Sequence, residues 1–311
     1  MRLVPRGGWL GVPELPEVET VRQQLSKEVV GRKVKAASVD NGRVVRRHKS
    51  AKEFRSHLEG RTIKEASRLG KYLVLLLDDG NSLVIHLGMS GQLRRAKSAK
   101  EVKEKHTHVV IQFTQGGELR YVDPRTFGEM FISTPPAEGT TVTLSPSASV
   151  AMGGEGVALR RRVPELASLG FDPVEDVMSW ERFAIVLRQR SVGLKALMTD
   201  QAIISGIGNI YADEVLFAAG LRYDRASDSL STTEVRRLWR SMVEILAEAI
   251  KHSGSTLADE QFVDLWGKAG GFQQFHEVYA REGEPCRRCR QPIVRVKSQS
   301  RSTFFCEHCQ I

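Results

Sequence analysis

All four cysteines of this chain fall in its last 26 residues, as Cys286-x-x-Cys289 and, sixteen residues later, Cys306-x-x-Cys309. Each Cys-x-x-Cys turn can give two thiolates to one tetrahedral ion, and paired knuckles at this spacing are a zinc signature. The alternatives are two disulfides or four unpaired thiols. The opening stretch "MRLVPRGGWLG" is basic but lacks the apolar segment of a secretory signal, which disfavours an oxidising compartment. One structural zinc on Cys286, Cys289, Cys306 and Cys309 is therefore expected. Between the pairs, "PIVRVKSQSRSTFF" reads as a basic β-hairpin. His308 is expected to face solvent.

The charge of that ribbon belongs to a wider pattern. Lys and Arg number 46 against 37 Asp and Glu, a net charge of +9. Such a balance favours a polyanionic partner, and nucleic acid comes ahead of anionic membrane because no basic amphipathic helix stands out. The basic residues gather in "RVVRRHKSAKEFR" (43–55), "LRRAKSAKEVKEKH" (93–106) and "RRCRQPIVRVKSQSR" (287–301). No apolar run is long enough to span a bilayer; "YLVLLLDDG" breaks at two aspartates. A cytoplasmic protein is the default expectation.

The hydrophobic period divides the chain. Residues 17–30 place Val18, Val21, Leu25 and Val29 at helical spacing, predicting one amphipathic helix. From about 33 to 132 short apolar runs alternate with turn residues, as in "YLVLLLDDGNSLVIHLG" and "HVVIQFTQGGELRYVD", which read as hairpins of a sandwich or barrel. Residues 134–158, rich in Pro, Gly, Ser, Thr and Ala, read as a linker or surface insertion. From 163 onward the period is helical, ending in a long helix with Ser231 or Thr232 as cap and Gly254 beyond its end.

Three turns carry residues that suit nucleic-acid chemistry. "SGIGNIYADE" (205–214) joins two helices through Gly206-x-Gly208-Asn209, where backbone N–H groups and the Asn side chain could meet a phosphate. A tight turn with Asn209 as N-cap is the plainer alternative. "HLGMSG" (86–91) and "DPRTFG" (123–128) set Met89, Arg125 and Phe127 on predicted turns. Such side chains are ordinarily packing anchors, yet a protein that extracts a base from a duplex needs groups to fill the gap.

Near the start, "VPELPEVET" (12–20) crowds two prolines and three acids into a helix entry. Pro13 and Pro16 suit a first helical turn, and Glu14, Glu17 and Glu19 lie where the helix dipole favours negative charge. Together with "LGKYL", "HLGMSG", "DPRTFG", "GIGNIYADE", "GEPCRRC" and "STFFCEHC", this stretch resembles the bacterial formamidopyrimidine-DNA glycosylase family of the MutM type. The resemblance runs in family order from Pro13 to the end. It implies an α+β multidomain fold. An N-terminal catalytic β-sandwich with a flanking helix would span 13–133 and a linker 134–162. A helix–two-turns–helix DNA-binding domain would follow over 163–279, with a zinc-ribbon hairpin over 280–311.

The resemblance also implies roles. Pro13, as first residue, would be the nucleophile through its secondary amine, and Glu14 the general acid and base. Lys71 would hold the phosphate beside the lesion. Asn209 and Arg301 would clamp other phosphates, while Met89, Arg125 and Phe127 would occupy the space left by the flipped nucleotide, with Arg125 facing the orphaned cytosine. The implied activity is bifunctional: release of oxidised purines such as 8-oxoguanine and formamidopyrimidines, then strand cleavage by β,δ-elimination. The partner would be damaged double-stranded DNA, met by a monomer in the bacterial nucleoid.

An internal Pro13 has an amide nitrogen and cannot attack. Valine at position 12 is what an internal GTG start would be read as, so the expectation is that residues 1–12 are a leader absent from the mature protein. Proteolytic trimming and a paralogue inactivated by its leader are the alternatives. "LVPRG" resembles part of an engineered protease site, although the following Gly and the lack of a tag argue against it. The chain departs from the family at Thr126, where a second basic residue is frequent, and in "WGKAGGFQQF" (266–275), which is short for a lesion-covering loop. Both bear on base preference. Competing readings are an endonuclease VIII-like glycosylase for oxidised pyrimidines and a non-catalytic, zinc-dependent DNA-binding paralogue.

Overall fold

The computed structural model describes residues 12–257, 261–298 and 301–311; most of the expected leader (1–11) and the tip of the ribbon (299–300) lie outside them. The described chain divides into two compact units, one of residues 12–135 with 252–273, the other of 136–251 with 274–311.

The first unit begins with helix α1 (Leu15–Glu28), two residues earlier than its apolar period predicts, because Pro16 fits the first turn and Glu17 caps it. Strand β1 (Val34–Val39) and helix α2 (Ala51–Leu58), capped by the Ser50 side chain, follow. Then come β2 (Ile63–Leu69), β3 (Tyr72–Leu77), β4 (Ser82–His86), β5 (Gln92–Ala96), β6 (Thr107–Phe113), β7 (Glu118–Val122) and β8 (Glu129–Ser133). They form two antiparallel four-stranded sheets, ordered β1-β6-β7-β5 and β2-β3-β4-β8. The expected sandwich is present. Its core takes alternate residues from each sheet, Leu73 and Leu75 from one and Val109 and Ile111 from the other, as period-two strands require. Val18, Val21 and Leu25 of α1 join the same core, with Phe54 and Leu58 of α2 and Phe262 and Leu265 from the later segment.

The second unit is helical: α3 (Glu155–Arg162), α4 (Trp180–Arg188), α5 (Leu194–Thr199), α6 (Asn209–Ala219) and α7 (Thr232–Lys251), followed by the paired strands β9 (Val294–Ser298) and β10 (Arg301–Phe305). Helix α6 is buried along nearly its whole length and packs against α5, α7 and β10. Helix α3 starts inside the stretch whose composition reads as a loop. Its buried side is too short and too polar to show a period: Leu159 lies beside Arg160, whose buried guanidinium pairs with Asp176 at 2.9 Å. Ser231 and Glu234 cap α7 reciprocally, the Glu234 N–H donating to Ser231 Oγ at 3.3 Å and the Ser231 N–H to Glu234 Oε2 at 2.9 Å. No helix among the described residues is long and apolar enough to cross a membrane.

Candidate functional site

Pro13 and Glu14 are both buried at the entry to α1. The entry is fixed by Glu17, which is 1% exposed: its Oε2 accepts the Glu14 N–H at 2.8 Å and its Oε1 the Ser255 N–H at 2.6 Å. One carboxylate thus ties the first residues of the helix to the segment after α7. Gly254 is required there, since its φ is +71° and a Cβ would come within 2.6 Å of Glu17 Oε1.

Lys71 sits on the two-residue turn Gly70–Lys71 between β2 and β3, whose flanking residues Leu69 and Tyr72 pair directly. The fully buried Arg68 links that turn to α1: its Nη1 donates to the Gly70 carbonyl at 2.9 Å and its Nε to Glu19 Oε2 at 3.2 Å. Burial disfavours a charged Glu19, but Arg22 and Arg68 outweigh it and hold the carboxyl below the usual range. The residues expected to act together, Pro13, Glu14 and Lys71, are therefore carried by elements joined through one buried ion pair. His86, at the end of β4, faces this cluster with its ring 4.6 Å from that of Tyr72. Burial, with Lys71, Arg46 and Arg47 close by, lowers its imidazole to about 4 against the pull of Glu129. It stays neutral at physiological pH inside a cationic surround.

The loops bearing Met89 and the Arg125–Phe127 pair come together. Asp123, fully buried, accepts the Ser90 hydroxyl at 2.6 Å and the Arg125 N–H at 3.2 Å on Oδ1, and the Gly128 N–H at 2.9 Å and the Tyr121 hydroxyl at 3.2 Å on Oδ2. The loops touch backbone to backbone, for a Cβ on Gly88 would meet Gly128 N at 2.5 Å. Met89 is half-buried, whereas Phe127 is 45% exposed with the Arg125 guanidinium 5.0 Å from its ring centre. Thr126 between them takes a positive φ of 54°, an uncommon conformation for a residue other than glycine.

Asn209 and Arg301 belong to the second unit. Gly208, not Asn209, is the N-cap of α6; Asn209 is its first helical residue, and its Oδ1 is a buried acceptor that the described protein leaves unpaired. Gln201 braces the glycine turn, accepting the Gly206 N–H at 2.9 Å and donating to the Ile207 carbonyl at 2.7 Å. Arg301 opens β10 exposed, and lines a hollow together with Lys195, Thr199 and Tyr223. Lys195 pairs with buried Asp213 at 2.7 Å and donates to the Ser302 carbonyl at 2.9 Å, while Asp213 accepts the Phe304 N–H at 2.9 Å. Glu214 accepts the N–H groups of Glu277, Val278 and Tyr279 at 2.8–3.0 Å. Of the two acids of "YADE", Asp213 therefore anchors the ribbon on α6 and Glu214 the segment leading into it.

The sulfurs of Cys286, Cys289, Cys306 and Cys309 lie within 4.8 Å of one another, with Cys286–Cys309 at 3.9 Å and Cys289–Cys306 at 3.4 Å. Four thiolates at ~2.3 Å around a tetrahedral zinc stand about 3.8 Å apart, so the cluster fits that ion. None is in a disulfide, and His308 is exposed. The four cysteines hold one structural zinc, which staples the hairpin.

Sequence reasoning missed Glu17, Arg68, Asp123, Lys195, Asp213 and Glu214. All are buried polar residues that position others. Each is a charged residue with at least one apolar neighbour in sequence, a signal that does not name its partner.

Comparison with known proteins agrees with this anatomy. Three family models match: the formamidopyrimidine-DNA glycosylase N-terminal domain over 12–130, the H2TH domain of the same enzymes over 169–261, and a zinc finger found in these glycosylases and isoleucyl-tRNA synthetases over 283–311. The formamidopyrimidine-DNA glycosylase of Salinispora arenicola is 38% identical over 96% of both chains, and that of Geobacillus kaustophilus is 38% identical over 96% of this chain and all of its own. Among solved structures, the MutM protein of Thermus thermophilus matches with a TM-score of 0.78 and 36% identity, covering 96% of this chain and 98% of its own. The Lactococcus lactis enzyme in complex with abasic-site DNA matches with a TM-score of 0.78 and 32% identity, covering 96% and 99%. With its sandwich, its helical unit and its zinc-stapled ribbon all matched in order, the chain belongs to the formamidopyrimidine-DNA glycosylase family.

Proposed function

We propose that this protein is a base-excision glycosylase with an associated lyase step, acting on oxidised purines in duplex DNA. The observation that carries the reading is the entry to α1, where buried Pro13 and Glu14 stand on a backbone held by Glu17. Once Pro13 is the first residue, its secondary amine is the nucleophile. An α-amine titrates near 8, so a useful fraction is unprotonated at neutral pH. Its lone pair attacks the sugar C1′ as the C1′–base bond breaks and the base leaves with its electron pair, which Glu14 neutralises with a proton. The C1′–O4′ bond then breaks as the nitrogen lone pair forms the iminium, the proton shed by the amine passing through Glu14 to O4′, and the iminium acidifies the C2′ proton. Loss of that proton expels the 3′ phosphate, and a second elimination expels the 5′ phosphate.

Lys71 holds the phosphate beside the lesion, and Asn209 and Arg301 hold others. Met89, Arg125 and Phe127 fill the space of the extruded nucleotide, a vacancy that otherwise costs a few kcal/mol in lost stacking. Zinc supplies no reaction chemistry in this scheme; bound to the four cysteines it keeps the Arg301 ribbon folded.

Borohydride trapping tests the scheme. Protein beginning at Pro13 is expected to form a covalent adduct on a duplex with 8-oxoguanine opposite cytosine. The chain with its first twelve residues is expected to form none, because its proline nitrogen is an amide. Trapping by the full chain that vanishes in Lys71→Ala would transfer the nucleophile to lysine and sink the proline mechanism. A second reading rests on those same twelve residues: if they persist in the cell, the protein is a zinc-dependent DNA binder without amine chemistry. Intact-mass measurement of native protein separates the two. Excision of an oxidised pyrimidine in preference to 8-oxoguanine would point to the endonuclease VIII-like specificity instead.

A further inference from the structure

The β5–β6 loop, residues 97–106, plays no part in the scheme above, although its sequence holds one of the three basic clusters. Lys97, Lys100, Lys103 and Lys105 are all exposed, and among the described residues none of the four has a carboxylate partner. The two acids of the loop are turned to its own upkeep. Glu104 lies 3.5 Å from both Arg94 and Arg120, and Glu101 accepts the Ser98 N–H at 2.9 Å. Four unneutralised ammonium groups thus share one short loop, where mutual repulsion favours spreading apart in water.

The loop is nevertheless fastened in place. Arg120, 1% exposed, sends one guanidinium nitrogen to the Val102 carbonyl at 2.9 Å and another to the Glu101 carbonyl at 2.9 Å. Lys97 lies 5.5 Å from the centre of the Trp266 ring. At the far end of the loop, the His106 carbonyl accepts the Asp123 N–H at 3.0 Å, and His108 Nε2 meets the Asp123 carbonyl at 2.8 Å. The charged loop is therefore bonded directly to the residue that shapes the Arg125–Phe127 turn. Val102, 91% exposed, stands among the lysines as an apolar side chain that a purely solvated loop does not need.

We propose that this loop is a second phosphate grip, in which Lys100, Lys103 and Lys105 contact the backbone of the strand opposite the damaged one. The inference rests on the function proposed above, because it is Arg125, facing the orphaned base, that brings the opposite strand past Asp123 and the loop.

The test is binding of the full, zinc-loaded chain to a duplex with a reduced, uncleavable abasic site, titrated with salt. If each lysine meets one phosphate, the variant carrying Lys100→Ala, Lys103→Ala and Lys105→Ala should lose about 2.7 from the slope of log affinity against log salt. Between 50 and 200 mM salt that is about 40-fold less loss of affinity than wild type shows. Methylphosphonates placed along the opposite strand should weaken wild type at discrete positions and leave the triple variant unaffected there. The same replacements on the damaged strand should weaken both proteins alike. An unchanged slope in the triple variant, or a lost penalty on the damaged strand, would overturn the grip while leaving the glycosylase reading intact. Wild type that fails to bind the duplex would overturn both.

Discussion

Ser90 donates its hydroxyl to the buried Asp123 carboxylate at 2.6 Å, and the bond joins the loop of Met89 to the loop of Arg125 and Phe127. Asp123→Asn keeps the shape but turns an amide NH2 toward donors that the carboxylate accepted. Leaving such buried groups unpaired costs about 1–3 kcal/mol. Excision from duplex DNA should fall by about 10–100-fold if that cost appears in the extruded state. Affinity for undamaged duplex should hold. Equal losses in both assays would count against a role confined to extrusion.

Gly254 and Glu17 make a second test, of stability. Gly254→Ala combines a positive φ with a Cβ 2.6 Å from Glu17 Oε1. The backbone strain alone is worth about 1–3 kcal/mol. The variant should unfold at lower temperature, and with protein beginning at Pro13 it should trap more slowly, because Glu17 holds the Glu14 backbone. Normal trapping in a destabilised variant would show that the α1 entry does not depend on this contact.

The half-buried, neutral His86 should make the protein sensitive to mild acid. Its folded value of about 4 lies below the ordinary 6.5, so between these the unfolded chain binds the extra proton. The stability it contributes is present above about 6.5 and is lost as pH falls toward 4. His276, also lowered to about 4 by burial, should contribute a separate loss over the same window. Melting curves between pH 7 and 4.5 should flatten in part, not wholly, in His86→Gln. A profile identical to wild type would mean that His86 takes up its proton without leaving its place.

Removing the metal should act on the ribbon. Structural zinc in small fingers is worth about 10–16 kcal/mol of apparent binding free energy. Cys306→Ser should therefore lose the ion, loosen residues 280–311 and weaken DNA binding severely, while near-ultraviolet signals of the first unit persist. Retention of one zinc per chain in this variant would argue against the four-cysteine site.

What the sequence determined by itself is local and periodic. The Cys-x-x-Cys pairs announce their ion because each supplies two ligands from one turn, and the two knuckles need only be brought together. The short apolar runs over 72–77 and 109–113, each closed by turn residues, mark sandwich strands. Helix α1 is legible by its helical spacing. The tertiary structure alone decided which charged residues are buried and what each one holds. Arg68 with Glu19, Asp123 with Ser90, Lys195 with Asp213 and Glu17 with Ser255 are pairs from separate elements, and no periodicity links them. A buried charge is tolerated only where a partner meets it, and that partner is fixed by how strands and helices pack rather than by its place in the chain. Helix α3 was hidden for the same reason: its buried side holds Arg160, which reads as a surface residue until Asp176 is placed against it.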